Sequence, residues 1–285
     1  MESESHKISL NFKGNHLTID LKNGGKIISL LLSDQNGIQH KIITGESQGS
    51  FTADGSYLMF PWVNRIDPPI FPATSPERIT PDFLDNRGIA LHGLFATCER
   101  EIISFSENYV EFKVKDYEKV YEKNNFARKM PKFIEKFILS DKGLTILTEF
   151  LSGEEDSEGF SYGYHPYVQL DDEEINGVQI ETNMTHYIKL DEKQIPIPSP
   201  DNTYQLGDFK DLLGNKIIEK DIQLDHCFFN ENYKMSTENY INFLFNSKGL
   251  GIVINDSEEI ITSSGEKMKD YLHEKEKIFL PYFQV

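Results

Sequence analysis

Apolar and polar residues alternate in short runs along much of the chain, with the two-residue period of half-buried strands. Tyr109-Val-Glu-Phe-Lys-Val-Lys115 is the cleanest case and puts Val110, Phe112 and Val114 on one face. Residues 144–150 and 240–245 repeat the pattern with β-branched and aromatic side chains, and 251–254 is a shorter apolar run. Asn23-Gly-Gly25, Asp141-Lys-Gly143 and Ser247-Lys-Gly249 fall between such runs and predict hairpin turns, because glycine reaches the backbone angles a tight reversal needs. Helical periodicity is scarce; 209–218 and 266–275 each suit a short helix or a turn. The proline cluster at 67–72 predicts a loop, since successive prolines cannot donate ladder hydrogen bonds. No fixed repeat argues for a propeller or solenoid. No Gly/Ser- or Pro-rich linker divides the chain. The expectation is all-β: one domain over residues 1–285, a large antiparallel β-sandwich.

Charge and cysteine content narrow the partners. A formal net charge of −17 opposes nucleic acid and anionic membranes, which are bound through Lys and Arg. No run approaches the roughly 18 apolar residues of a spanning helix. The polar start, Met1 to Lys7, lacks the pattern of a secretory signal, so a cytoplasmic location is expected. Cys98 and Cys227 form no CxxC pair, which argues against structural zinc and for reduced thiols.

Three segments place titratable groups in aromatic, strand-like surroundings. Leu58-Met-Phe-Pro-Trp-Val-Asn-Arg-Ile66 carries Arg65, which either pairs with a carboxylate or projects into a cleft to donate to hydroxyls. Ala90-Leu-His-Gly-Leu94 and Tyr162-Gly-Tyr-His-Pro-Tyr-Val168 each set a histidine, His92 and His165, beside residues that shape the backbone. Histidine, with an unperturbed pKa of about 6.5, suits proton transfer near neutrality. A fourth segment, Gln223-Leu-Asp-His-Cys-Phe228, offers Asp225 either to a ligand or to Arg65. His6, His16, His40, His186 and His273 sit in polar or loop-like contexts and receive no role.

Taken in order, Phe60-Pro61 with Asn64-Arg65-Ile66, His92-Gly93, Gly163 with His165-Pro166-Tyr167, and Asp225-His226 resemble the aldose 1-epimerase family, or galactose mutarotases, and its hexose-6-phosphate epimerase relatives. The resemblance runs from about Lys22 to the end of the chain. It implies a mutarotase-like supersandwich, an open cleft for a pyranose and no cofactor or metal. It implies that His165 protonates the ring oxygen while His92 holds the ring-oxygen region. Arg65, Asn64 and Asp225 would bind sugar hydroxyls. The implied partner is a free aldose, taken by a monomer or homodimer. A phosphorylated sugar would call for several basic residues around the cleft; the sequence offers Arg65 and Arg87 near the first two motifs, and Arg78 and Arg100 at a distance it does not fix.

The resemblance is incomplete at the base. Family members carry a catalytic glutamate on a late strand, often just before proline. Lys277-Ile-Phe-Leu-Pro-Tyr-Phe283 puts Leu280 in that place. A second alignment offers Glu258 or Glu259, in a turn-like stretch. The first alignment leaves a sugar-binding half-site without its general base, so a non-catalytic carbohydrate-binding protein of the same fold stands as the alternative.

Overall fold

The computed structural model describes residues 6–45, 54–66, 84–85, 87–123, 131–151, 162–168, 178–200, 204–208, 226–229, 239–245, 250–256 and 281–284. The expected turns or helices at 209–218 and 266–275, the proline cluster at 67–72, and Asp225, Glu258, Glu259 and Leu280 lie outside them. The chain divides into two compact units, residues 1–169 and 170–285.

In the first unit the strands are β1 (Lys7–Phe12), β2 (Asn15–Asp20), β3 (Lys26–Ser33), β4 (Gln39–Thr44), β5 (Ser56–Met59), β6 (Arg65–Ile66), β7 (Ala90–Leu91), β8 (Arg100–Phe105), β9 (Tyr109–Val114), β10 (Lys132–Ser140), β11 (Gly143–Leu151) and β12 (Tyr162–Pro166). Among the described residues of this unit one helix, α1 (Tyr117–Lys123), falls between β9 and β10. One sheet runs β1-β2-β3-β5-β12, with β4 also on β3. A second runs β8-β9-β10-β11, and β6 and β7 form a short ribbon. All described pairings are antiparallel.

Alternation decides what is buried. Val110, Phe112 and Val114 of β9 point inward as their spacing predicts, and Phe133, Glu135, Phe137 and Leu139 of β10 line the same interior. The inner faces meet in an aromatic core, where Phe60, the residue after β5, contacts Phe133 of β10 at 5.2 Å between ring centroids. Each large ring withdrawn from water there contributes roughly 1.5–3 kcal/mol. The turns at Asn23-Gly-Gly25 and Asp141-Lys-Gly143 join β2 to β3 and β10 to β11 as expected.

Helix α1 is not legible from periodicity, because seven residues make too few turns for a period to emerge. Its chemistry is local. The Asp116 carboxylate accepts a hydrogen bond from the Lys119 amide at 3.1 Å, an N-cap interaction. Tyr117 and Tyr121, one turn apart, fall on one face and enter the core.

In the second unit the strands are β13 (Val178–Thr182), β14 (His186–Ile188), β15 (Leu206–Asp208), β16 (Cys227–Phe229), β17 (Asn239–Phe245), β18 (Leu250–Asp256) and β19 (Pro281–Gln284). β13, β17 and β18 form one antiparallel group. β19, β16, β14 and β15 form another. β17 and β18 are paired with Phe245 opposite Leu250, and the expected turn at Ser247-Lys-Gly249 between them lies outside the described residues.

Candidate active site

β5 and β12 run antiparallel, with Tyr57 opposite His165 and Leu58 opposite Tyr164. Successive residues of a strand point to opposite faces. Leu58 and Tyr164 therefore pack on the aromatic core, and Tyr57 and His165 lie together on the other face. The Tyr57 and His165 rings stack with centroids 5.2 Å apart, and Tyr167 stacks on His165 at 4.8 Å and 9°. His92 completes the cluster, edge-on to His165 at 5.3 Å and tilted against Tyr57 at 5.5 Å. The two histidines, 73 positions apart, are thus neighbours, and both are buried.

His92 gets there through an unusual backbone. β6 pairs with β7, setting Arg65 opposite Leu91, and the His92 amide then donates to the Asn64 carbonyl at 2.9 Å. Asn64 and His92 both adopt left-handed angles, φ 58° and 60°, and Gly93 follows at 85°. Asparagine tolerates this region well; histidine visits it less readily, so the surrounding hydrogen bonds must hold it there. Gly93 is required by close approach: a Cβ there would lie 2.0 Å from the Phe60 carbonyl oxygen. The chain can therefore fold back over Phe60, whose carbonyl accepts from the Phe95 amide at 3.2 Å.

Around this backbone the polar groups are partly satisfied. The Asn64 side-chain oxygen accepts from the Arg65 amide at 2.8 Å and, at a long 3.4 Å, from the Arg65 guanidinium. Asn64 Nδ2 and His92 Nδ1 are buried and have no hydrogen-bond partner among the described residues. An unmet buried donor or acceptor costs about 1–3 kcal/mol, a cost that a bound polar ligand would remove. Arg65 pairs with a carboxylate, and among the described residues that carboxylate is Asp85: Nε donates to Oδ2 at 3.2 Å. Asp85 was not singled out in the sequence. Burial alone would raise its pKa, but hydrogen bonds from the Ile89 amide, Arg87 and Arg65 outweigh this and hold it down at about 2.

Arg100 is not a substrate-facing base. Its guanidinium is buried and donates to Glu135 and to the carbonyls of Phe95 and Cys98. Arg87 also belongs to Asp85, donating from Nη2 at 2.8 Å.

The His92 pKa is pushed well below the usual 6.5, first by burial and then by the neighbouring His165 and Arg65. At neutral pH His92 is a neutral imidazole that accepts at one nitrogen and donates at the other. The shift has a stability consequence. Below about pH 6.5 the unfolded chain binds a proton at this histidine that the folded chain refuses, so its stability contribution is complete above that pH and falls as pH drops. The loss approaches about 1.4 kcal/mol per pH unit. Urea unfolding at pH 7.5, 6.5 and 5.5 should show a shallower pH slope in His92→Gln than in the unaltered protein; equal slopes would refute the shift.

The aldose 1-epimerase family model matches residues 6–271. No curated protein matches significantly. Among solved structures, a GalM/aldose epimerase homologue from C. elegans is 16% identical, with a TM-score of 0.55, over 92% of this chain and 86% of that one. An Escherichia coli K12 structure described as a candidate aldose 1-epimerase is 13% identical, with a TM-score of 0.58, over 88% and 81%. Likeness at these identities carries the fold, which is galactose mutarotase-like.

Proposed function

The chain belongs to the aldose 1-epimerase family, and from that premise we propose that it interconverts the α and β anomers of a free aldose. The observation that supports this best is the buried His92–His165 pair beside Arg65, with Asn64 Nδ2 and His92 Nδ1 lacking protein partners among the described residues. Opening a pyranose moves one proton off the C1 hydroxyl and one onto the ring oxygen, so the site needs an acid and a base on one sugar. In this reading His165 is the acid at the ring oxygen, and the proton leaving the C1 hydroxyl goes to the carboxylate that the second alignment offers, Glu258 or Glu259. His92, kept neutral, hydrogen-bonds the same region without adding a positive charge that would oppose protonation of the ring oxygen. Asn64 and Arg65 donate to sugar hydroxyls, and Asp225 accepts from them. No cofactor is needed, because the reaction exchanges only protons.

A second reading, a carbohydrate-binding protein without catalysis, is favoured by one feature: Leu280 before Pro281, where the family's base is expected, is a side chain that cannot accept a proton. Polarimetry separates the two. Purified protein added to fresh α-D-glucose or α-D-galactose should accelerate mutarotation above the buffer rate. Absence of acceleration with both sugars, alongside a thermal shift on aldose addition, would establish the binding reading and make Leu280 its cause.

A further inference from the structure

Arg65 reaches the site as part of a three-residue charge arrangement that neither the motif nor the fold explains. Asp85 is anchored first. Its Oδ1 accepts from the backbone amides of Arg87 at 2.9 Å and Ile89 at 3.0 Å. The Asp85 amide donates to the Ile89 carbonyl and the Gly88 amide to the Asp85 carbonyl, each at 2.9 Å. This carboxylate is fixed to its own turn and cannot swing. Its Oδ2 then takes Arg65 Nε at 3.2 Å, with Arg87 Nε at 3.1 Å and Nη2 at 2.8 Å.

We propose that Asp85 is a positioning residue for Arg65: it holds the Nε edge of the guanidinium so that the Nη edge is presented to the sugar beside Asn64 and His92. Arginine's donors form a rigid planar fork, so fixing one edge sets the direction of the other. Asn64 restrains Nη1 only at 3.4 Å, and Nη2 has no hydrogen-bond partner among the described residues. With Asp85 removed, Arg65 would keep its charge and lose its aim. Arg87 shares the same oxygen from the more exposed side, where its own side chain is 36% exposed. It neutralises the carboxylate but does not set the direction of Arg65. The role of Arg65 toward sugar rests on the function proposed above; the hold of Asp85 on Arg65 does not.

The test has one arm for each. In the first, the Arg65 Nε–H signal is identified by its loss in Arg65→Ala, and its hydrogen exchange is followed by NMR. Exchange should be slowed in the unaltered protein and in Arg87→Met, and should become fast in Asp85→Asn. An Arg65 Nε–H that stays protected in Asp85→Asn overturns the proposal. In the second, D-galactose and D-glucose are titrated separately. Asp85→Asn should weaken binding about tenfold, the scale of one charge-assisted hydrogen bond. Arg65→Ala/Asp85→Asn should bind no more weakly than Arg65→Ala alone, because Asp85 acts only through Arg65. Effects that multiply instead overturn it. Asp85→Glu, which keeps the charge but displaces it by one methylene, should fall between and serves if Asp85→Asn fails to fold. An unaltered protein that binds neither sugar overturns the sugar reading, and the Nε–H arm alone then decides whether Asp85 holds Arg65.

Discussion

Replacing His165 with glutamine is expected to lower the mutarotation rate by about 10²- to 10⁴-fold, the usual worth of a positioned general acid. Glutamine keeps a polar amide of similar reach but carries no proton that titrates near neutrality. The ring also has a structural part to play, since it is stacked against both Tyr57 and Tyr167 and meets His92 edge-on. A second readout therefore separates chemistry from packing. If the role is proton transfer, kcat falls while sugar affinity from titration changes by less than about threefold, because the interaction is gained mainly in the transition state. If the role is packing, affinity and thermal stability fall together with the rate. A His165→Gln protein with unchanged kcat would remove His165 from the mechanism. His92→Gln should behave differently: a neutral hydrogen-bonding group replaces a neutral hydrogen-bonding group, so its loss in rate should be smaller than that of His165→Gln.

What could be read in the sequence was what acts over short range. Val110, Phe112 and Val114 declare their shared face by alternation, and glycine in Asp141-Lys-Gly143 declares its turn. His92 and His165 stood out through their aromatic and backbone-shaping neighbours and through a family resemblance, not through any signal that they would meet. Nothing local says that Tyr57 is in register with His165. The same limit hid Asp85. Its local sign was an Asp-x-Arg-Gly turn, and its bond to Arg65 spans 20 positions. Helix α1 was missed for the opposite reason: its cap and its Tyr117–Tyr121 face are local, but seven residues give too few turns for a period to emerge. The sequence offers Arg65 either a carboxylate partner, with Asp225 as the one named, or a place in a cleft, and it gives Asp85 no such mark. Only the pairing of β6 with β7 brings the Asp85 turn alongside it.

The largest stability effect is expected at Arg100, where Arg100→Met should cost about 3–5 kcal/mol in urea unfolding. β10 carries Glu135 in the same inward row as Phe133, Phe137 and Leu139, and its side chain is 1% exposed. A charge there is tolerable only if paired. Arg100, wholly buried, donates to it at 2.8 Å and stands over the Phe133 ring at 5.3 Å. Tyr164 donates to the other carboxylate oxygen at 2.7 Å. Burial and the adjacent Glu135 push its pKa well above the usual tyrosine value, so it stays a neutral donor. Methionine fills much of the arginine's volume, leaving Glu135 charged and half-satisfied in an apolar layer. Adding Glu135→Leu should restore part of the loss, since the cost lies in the stranded charge more than in the absent ion pair. A double variant less stable than Arg100→Met would contradict this account. The network also touches the site from beneath. Arg100 binds the carbonyls of Phe95 and Cys98, which follow the His92–Gly93 reversal, and Tyr164 precedes His165 on β12. Arg100→Met should therefore loosen both histidine-bearing segments together. Amide exchange should quicken at Phe95 and at the β5–β12 pairing, while β1 and β2, at the far end of that sheet's strand order, keep their protection.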